Sequence, residues 1–248
     1  MKCIILVAGY ATRLFPLTKD RPKALLDFWG KPILNYIYEN MAQIDDIDEV
    51  FVVSNSKFYP HFSEWAKTLD TDRKITVIDD GTSDDATKLG AVGDLKLVVD
   101  KAGITDDVMV LLGDNLFTFG LKDMYNFHKK VDSDCVCVKV VDDLEELQRI
   151  GVAVLDENSK VLDFEEKPKE PKSNKGAFGA YIYKGESLKL LDQYLAEGNS
   201  SDAPGYFPAW LSKKKDIYAF TFEGECFDIG TIKSYEDVMQ NCKHLFVK

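Results

Sequence analysis

Cys3 to Val7 form an unbroken apolar run that stops abruptly at Ala8-Gly9-Tyr10-Ala11-Thr12-Arg13. A strand that is apolar on both faces must be covered on both, which is how parallel strands lie inside an α/β sheet. Small residues let backbone N–H groups come close to an anion, and Arg13, with Lys23 after Arg21-Pro22, supplies positive charge. The segment therefore predicts a first parallel strand whose C-terminal loop cradles a phosphate chain. A dinucleotide fingerprint would need glycines where Ala11 and Leu14 stand, and a P-loop would close on Gly-Lys-Ser/Thr, which is absent. The plain alternative is a strand-to-helix turn with an incidental arginine.

Strand and helix signals keep alternating after this loop. Pro32 opens a helix with Ile33, Ile37, Met41 and Ile44 at helical spacing, and Glu49–Ser54 reads as a second strand. A helix over Phe58–Leu69, a strand over Lys74–Ile78, a helix over Leu89–Lys101 and a strand over Val108–Leu112 follow. This pattern implies an α/β fold with a parallel sheet, right-handed crossovers and ligands at the strand C-termini. The second half has shorter connections: strands at Cys135–Val141, Val152–Leu155, Val161–Glu165 and Phe178–Tyr183, then a helix over Ser187–Leu195. A helix at Phe207–Lys213, a strand at Ile217–Phe222 and a helix at Lys233–Cys242 complete the chain, with Glu157-Asn158-Ser159 as a hairpin turn. The polar stretch Lys167–Lys175 is too short to separate domains. One domain is expected over residues 1–248, with a nucleotide-binding half over about 1–133 and an acceptor-binding half over about 134–248.

A formal net charge of −11 argues against non-specific nucleic-acid binding, which needs a basic face. It leaves room for an anionic small molecule, because a divalent metal and a few local cations reverse the field inside a cleft. The five cysteines are odd in number and mostly sit in strand-like runs such as Cys135-Val136-Cys137-Val138, as expected of reduced structural thiols. No stretch is long enough to span a bilayer, and the N-terminal apolar run leads straight into the loop with no cleavage-like region. A cytoplasmic protein without membrane contact is expected.

Three further segments carry candidate chemistry. In Gly113-Asp114-Asn115 a carboxylate at a strand end could hold a divalent metal against phosphate oxygens, or could cap the next helix. Asp228, in Phe227-Asp228-Ile229-Gly230-Thr231, offers a second carboxylate, or a turn into the last helix. Glu165-Glu166-Lys167-Pro168 is either a solvated strand end or an acceptor site. In the acceptor reading, Lys167 meets a phosphate as a point charge and Glu166 accepts from sugar hydroxyls.

Taken together and in this order, the N-terminal loop, Gly113-Asp114-Asn115, Glu165-Glu166-Lys167-Pro168 and Asp228-Ile229-Gly230-Thr231 resemble the sugar-1-phosphate nucleotidylyltransferases over nearly the whole chain. Gly30-Lys31-Pro32-Ile33-Leu34, Ile150-Gly151-Val152 and Gly179-Ala180-Tyr181 extend the likeness. The resemblance implies a GT-A-like, Rossmann-type three-layer fold with a mixed, mainly parallel central sheet. It also implies Mg2+-dependent transfer of a nucleotidyl group from a nucleoside triphosphate to a sugar 1-phosphate, with release of pyrophosphate. Ala8, Gly9, Tyr10, Ala11, Thr12, Arg13 and Lys23 would then hold the triphosphate, with Leu89 and Gly90 near the base. Asp114 and Asp228 would hold the metal, and Asn115, Gly151, Glu166, Lys167 and Tyr181 would line the acceptor site. Arg13, Lys23 and Lys167 would be the catalytic cations.

Three positions depart from the family pattern. Ala11 replaces a usual glycine, and Phe227 stands where Trp is common, next to the expected sugar pocket. The acidic run Asp79-Asp80-Gly81-Thr82-Ser83-Asp84-Asp85 leads into the base-binding segment; it is either solvated or offers a carboxylate to an exocyclic amine, which would favour cytosine, and a pyrimidine nucleotide is expected. No hexapeptide-repeat pattern follows the last helix, so a bifunctional member with an acetyltransferase half is not expected. Other readings are a cytidylyltransferase acting on a phospho-alcohol of the phosphoglycerol or phosphocholine type, and a non-catalytic nucleotide-sensing module. A glycosyltransferase is disfavoured because Asp-x-Asp is missing at Asp114-Asn115-Leu116. A homo-oligomer is compatible with all of these readings.

Overall fold

The computed structural model describes residues 1–247. β1 (Lys2–Leu6) occupies the middle of a nine-stranded sheet. The short pair β2 (Asp27–Phe28) and β3 (Lys31–Pro32) precedes α1 (Ile33–Met41), β4 (Glu49–Ser54), α2 (Tyr59–Lys67) and β5 (Lys74–Asp79). Next come α3 (Ala91–Ala102), β6 (Val108–Leu112), the short β7 (Asn115–Phe117) and α4 (Leu121–Val131). β5, β4, β1 and β6 run parallel side by side, with Cys3 level with Val50 on one neighbour and Met109 on the other.

The second half adds β8 (Asp134–Val140), α5 (Leu144–Leu147), β9 (Gly151–Leu155), β10 (Val161–Glu166) and β11 (Lys175–Tyr183). β11 is antiparallel to β6, β8 and β9, and so stitches this half onto the first. The short helices α6 (Gly185–Leu188), α7 (Leu191–Ala196) and α8 (Tyr206–Leu211) lead to β12 (Ile217–Thr221), which runs parallel to β8. β13 (Cys226–Asp228) leaves the main sheet and pairs antiparallel with β7, before α9 (Ile232–Asn241) and α10 (Lys243–Phe246).

The run from Cys3 is buried on both faces, as its composition requires. Cys3 and Ile5 face a core with α1, α2, α4 and α9, whereas Ile4 faces one with α3 and α7–α8. The mixed, mainly parallel three-layer α/β fold read from the sequence is thus present. Differences are local. The helix expected from Leu89 starts at Ala91, because Gly90 takes φ = 80° and makes the turn. The helix expected over Ser187–Leu195 breaks into α6 and α7, and the Leu190 N–H bonds back three residues to Ser187 O at 3.0 Å. α4 is not among the elements read from the sequence, although Leu121, Met124 and His128 recur at helical spacing on its buried face.

Among the described residues, no helix is long and apolar enough to cross a membrane. Gly90 offers a stability test. A Cβ there would stand 2.4 Å from the Ser201 carbonyl oxygen, in a backbone region that side chains avoid. Gly90→Ala is expected to cost at least about 2 kcal/mol, measured by urea unfolding.

Candidate active site

The C-terminal ends of β1 and β6 open a cleft lined by Leu6, Val7, Gly9, Ala11, Lys23, Ala24, Gly113 and Asp114. Past β1 the loop is held from behind. The buried Asn55 side-chain amide donates to Ala8 O at 2.8 Å, and the Thr18 hydroxyl donates to Ala11 O at 2.8 Å. Ala11 takes the left-handed conformation at φ = 49°, the one a glycine would adopt freely. Alanine thus carries a small backbone strain without changing the shape of the loop. Gly9 faces open space, Thr12 and Arg13 form an exposed single turn, and Arg13 makes no ion pair among the described residues. Tyr10 differs from the rest of the loop: it is buried, and its hydroxyl lies 3.2 Å from Thr82 Oγ1.

Asp114 follows β6, and its carboxylate pairs with the Lys23 ammonium and accepts from the Asn115 amide at 2.8 Å. It does not cap a helix. The β7–β13 register sets Asp228 opposite Asn115, and the Ile229 N–H donates to Asp114 O at 3.1 Å. Residues 114 apart in sequence therefore place two carboxylates together. Thr231, not Asp228, caps α9, with its side chain accepting from the Ser234 N–H. Restricted hydration in the cleft and the charge of Asp114 push the Asp228 carboxyl up to about 6, with Lys23 and Arg13 opposing. Asp228 itself stays exposed, so its carboxylate is open to an incoming ligand.

Two neighbouring carboxylates, one of them destabilised by the other, form a donor set that a hard divalent cation would relieve. No third His, Cys, Asp or Glu joins them among the described residues. That suits Mg2+, which is usually held by one or two carboxylates with waters and phosphate oxygens completing its octahedron. Lys23 would have to share Asp114 with the ion.

Of the acceptor candidates, Gly151, Glu166 and Lys167 lie at the end of β10, whereas Asn115 stands on β7 beside Asp114 and Tyr181 within β11. Glu166 pairs in register with Gly151 and lies against Gly205, just before α8; a Cβ on Gly205 would sit 1.9 Å from Glu166 Oε2. No hydrogen bond holds the Glu166 carboxylate among the described residues. Burial pushes it up to about 7, with Asp202 adding to the shift and Lys167 opposing it. Lys167 is exposed, unpaired among the described residues, and strained at φ = 51°. Asn115 is buried and accepts from the Gly179 N–H at 3.2 Å. Tyr181 is 4% exposed and stacks on Tyr183 with ring centroids 6.1 Å apart, so it is a core residue and not an open wall of the acceptor site. Phe227 turns from the cleft towards Phe246, with ring centroids 6.1 Å apart. Leu89 and Gly90 are braced from outside, the Ser201 hydroxyl donating to Leu89 O at 2.6 Å.

The family model described as Nucleotidyl transferase matches residues 2–244. The chain belongs to the nucleotidyl transferase family. Among relatives of this nucleotidyl transferase, a glucose-1-phosphate adenylyltransferase of Clostridium novyi (strain NT) is 29% identical over 254 residues, with 94% of this chain aligned. The chain spans 64% of that relative's length. The crystal structure of a Bacillus anthracis protein, provisionally named a glucose-1-phosphate thymidylyltransferase and complexed with a sucrose, superposes with a TM-score of 0.80. It is 25% identical and the match covers 97% of this chain and 94% of that one. A UDP-glucose pyrophosphorylase complexed with UDP-glucose shares the fold, at TM-score 0.83 and 21% identity, with 98% of each chain covered.

Three residues that position the candidate site escaped the sequence reading. Asn55 is an Asn at the end of an apolar strand, a signal too common to single out. Thr82 was hidden among acidic neighbours. Gly205 follows Pro204 and reads as a turn; only the fold shows that it makes room for Glu166.

Proposed function

We propose that this nucleotidyl transferase is a cytoplasmic, Mg2+-dependent enzyme that joins a nucleoside triphosphate to a sugar 1-phosphate, giving a nucleotide sugar and pyrophosphate. The observation that carries this reading is the Asp114–Asp228 pair set beside Lys23 and the phosphate-sized loop; exposed Lys167 next to Glu166, at the end of β10, supplies the acceptor candidates. Residues 1–133 supply the nucleotide half and residues 134–248 the acceptor half, except that Asp228 crosses into the first. Five free cysteines, three of them buried, fit a reducing compartment.

In the reaction a sugar-phosphate oxygen attacks the α-phosphorus in line, and the bond to the pyrophosphate oxygen breaks. No covalent enzyme intermediate is needed, so positioning and charge neutralisation carry the rate. The loop amides from Ala8 to Thr12 hold the phosphate chain and Arg13 neutralises the leaving pyrophosphate. Lys23 sits at the α-phosphate, and Lys167 holds the phosphate of the nucleophile. Mg2+ on Asp114 and Asp228 would neutralise phosphate charge when bound.

For the base we propose a pyrimidine. Much of the acidic run is spent on its own backbone: Asp79 accepts from Gly81 N–H and Asp84 from Ala86 N–H. The outward Asp85 and the free edge of Asp84 remain as acceptors, and cytosine is the pyrimidine whose exocyclic amine could donate to them. Glu166 favours a sugar over a choline-like acceptor, since a carboxylate accepts from a diol and has nothing to accept from a quaternary amine.

A matrix of ATP, CTP, GTP, UTP and dTTP against several sugar 1-phosphates, phosphoglycerol and phosphocholine, scored by pyrophosphate, tests the proposal. Turnover confined to the alcohol phosphates would replace the acceptor assignment, and no turnover anywhere would favour a nucleotide sensor. Glu166 gives a pH test. Below about 7 it is protonated and cannot accept from sugar hydroxyls in both lone-pair directions. KM for the sugar phosphate is therefore expected to fall about threefold to tenfold between pH 6 and pH 8. Glu166→Gln should lose that part of the pH dependence and keep the part due to the phosphate itself.

A further inference from the structure

A buried carboxyl pair beneath the nucleotide loop takes no part in the chemistry above. Asp94, in the first turn of α3, is 5% exposed, and its Oδ1 has no hydrogen-bond partner. Its carboxyl meets that of Asp80, itself 9% exposed. Asp80 accepts the Thr82 N–H at 2.6 Å and the Thr82 hydroxyl at 3.0 Å. Thr82 Oγ1, having given its proton to Asp80, accepts from the Tyr10 hydroxyl at 3.2 Å. The contacts thus run from α3 through Asp94, Asp80, Thr82 and Tyr10 into the loop between Gly9 and Ala11.

The surroundings determine what this arrangement requires. On the β1 and β4 side, Ile4, Phe51 and Val53 form one apolar core with Val92, Leu95 and Val98 of α3, the helix that carries Asp94. From β5 and the following loop the pair meets further negative charge: Asp79 beside Asp80, with Asp84 and Asp85 bearing on Tyr10. No Lys, Arg or His is hydrogen-bonded to either carboxyl among the described residues. Two carboxylates in contact, buried and without a cation, cannot both be ionised. Burial and the charge of Asp80 accordingly push Asp94 up to about 8.

We propose that Asp80 and Asp94 share one proton, and that this strut positions Tyr10 and thereby the phosphate-binding loop. Asp94 is then a positioning residue for the nucleotide. The role rests on the reading of the loop as a triphosphate cradle. An ionised Asp80 uses the two Thr82 donors and the shared proton; removing that proton places a second negative charge in a site with no cation. The carboxyls then part, and Thr82 and Tyr10 move with Asp80.

Asp94→Asn, Asp94→Ala and Thr82→Val test this, with Kd and KM for ATP, CTP, GTP, UTP and dTTP measured at pH 6.5 and pH 9, alongside melting curves without nucleotide. An asparagine amide donates to Asp80 at every pH. Asp94→Asn should therefore bind as the wild type does at pH 6.5, whereas Asp94→Ala and Thr82→Val should bind about tenfold more weakly with kcat within about twofold. Wild-type affinity should fall several-fold at pH 9 while that of Asp94→Asn stays level.

Melting gives a separate arm. The folded pair keeps a proton that an unfolded aspartate loses above about pH 4, so wild-type stability falls as pH rises and levels off above about 8. Asp94→Asn should lack that fall. A wild-type pH dependence in Asp94→Asn, or unchanged affinity in folded Asp94→Ala, overturns the proposal. If none of the five nucleotides binds, the cradle reading and the positioning role fall together, while the melting curves still decide the shared proton.

Discussion

Asp114→Asn is expected to lower turnover by about a thousandfold or more while the protein melts no earlier than the wild type. The size follows from losing a charged contact to reacting phosphates in a reaction that depends on neutralising charge. The stability follows from local electrostatics. Asp114 pushes up the Asp228 carboxyl, so an uncharged isostere removes that repulsion, and Lys23, which also acts on Asp228, keeps that carboxylate as a counter-charge when its pair with Asp114 is lost. The measurement is pyrophosphate release against Mg2+ concentration, with circular dichroism melting of the same sample. Near-wild-type turnover in folded Asp114→Asn would falsify the assignment of this carboxylate to the phosphate-side cation.

Lys167→Ala should lose about two to three orders of magnitude in kcat/KM for the acceptor, because in the proposed function its exposed ammonium meets the phosphate of the acceptor. Lys167→Gly separates charge from backbone. At φ = 51° the lysine carries strain of roughly 1–3 kcal/mol, and glycine relieves most of it at an entropy cost of roughly 0.5–1 kcal/mol. The glycine variant should therefore be as inactive as Lys167→Ala yet equally or more stable than the wild type in urea. A glycine variant with wild-type acceptor kinetics would show that the ammonium is idle. One that is both inactive and clearly less stable would mean that the left-handed turn itself needs the side chain.

Much of this architecture is legible in the residues. The apolar runs of β1, β4 and β6 require burial on two faces, and their boundaries match the sequence pattern to within a residue or two. The cations and carboxylates could be named because phosphate chemistry limits which side chains serve. What escaped depended on non-local pairing. The β7–β13 ribbon is three residues long on each side, too short for a periodic signal, yet it alone brings Asp228 to Asp114. The role of Gly205 depends on α8 meeting the end of β10, and that of Asn55 on a carbonyl in another strand's loop. The acidic run looked solvated or ligand-facing in sequence; in the fold Asp80 turns inward, because Thr82 and Asp94 offer it more partners than water on that side.

The β7–β13 ribbon also sets an order of events in synthesis. Residues up to about Leu112 contain the parallel strands, the loop and Lys23, and these can come together early as the chain emerges. The second carboxylate arrives only with Asp228, more than a hundred residues later, and only by returning along β7. A nascent chain can therefore hold its phosphate loop ready for most of translation with half of its acidic pair missing. On the proposed reading, competence would arrive late, in a single zippering step, and unfinished chains would stay chemically silent.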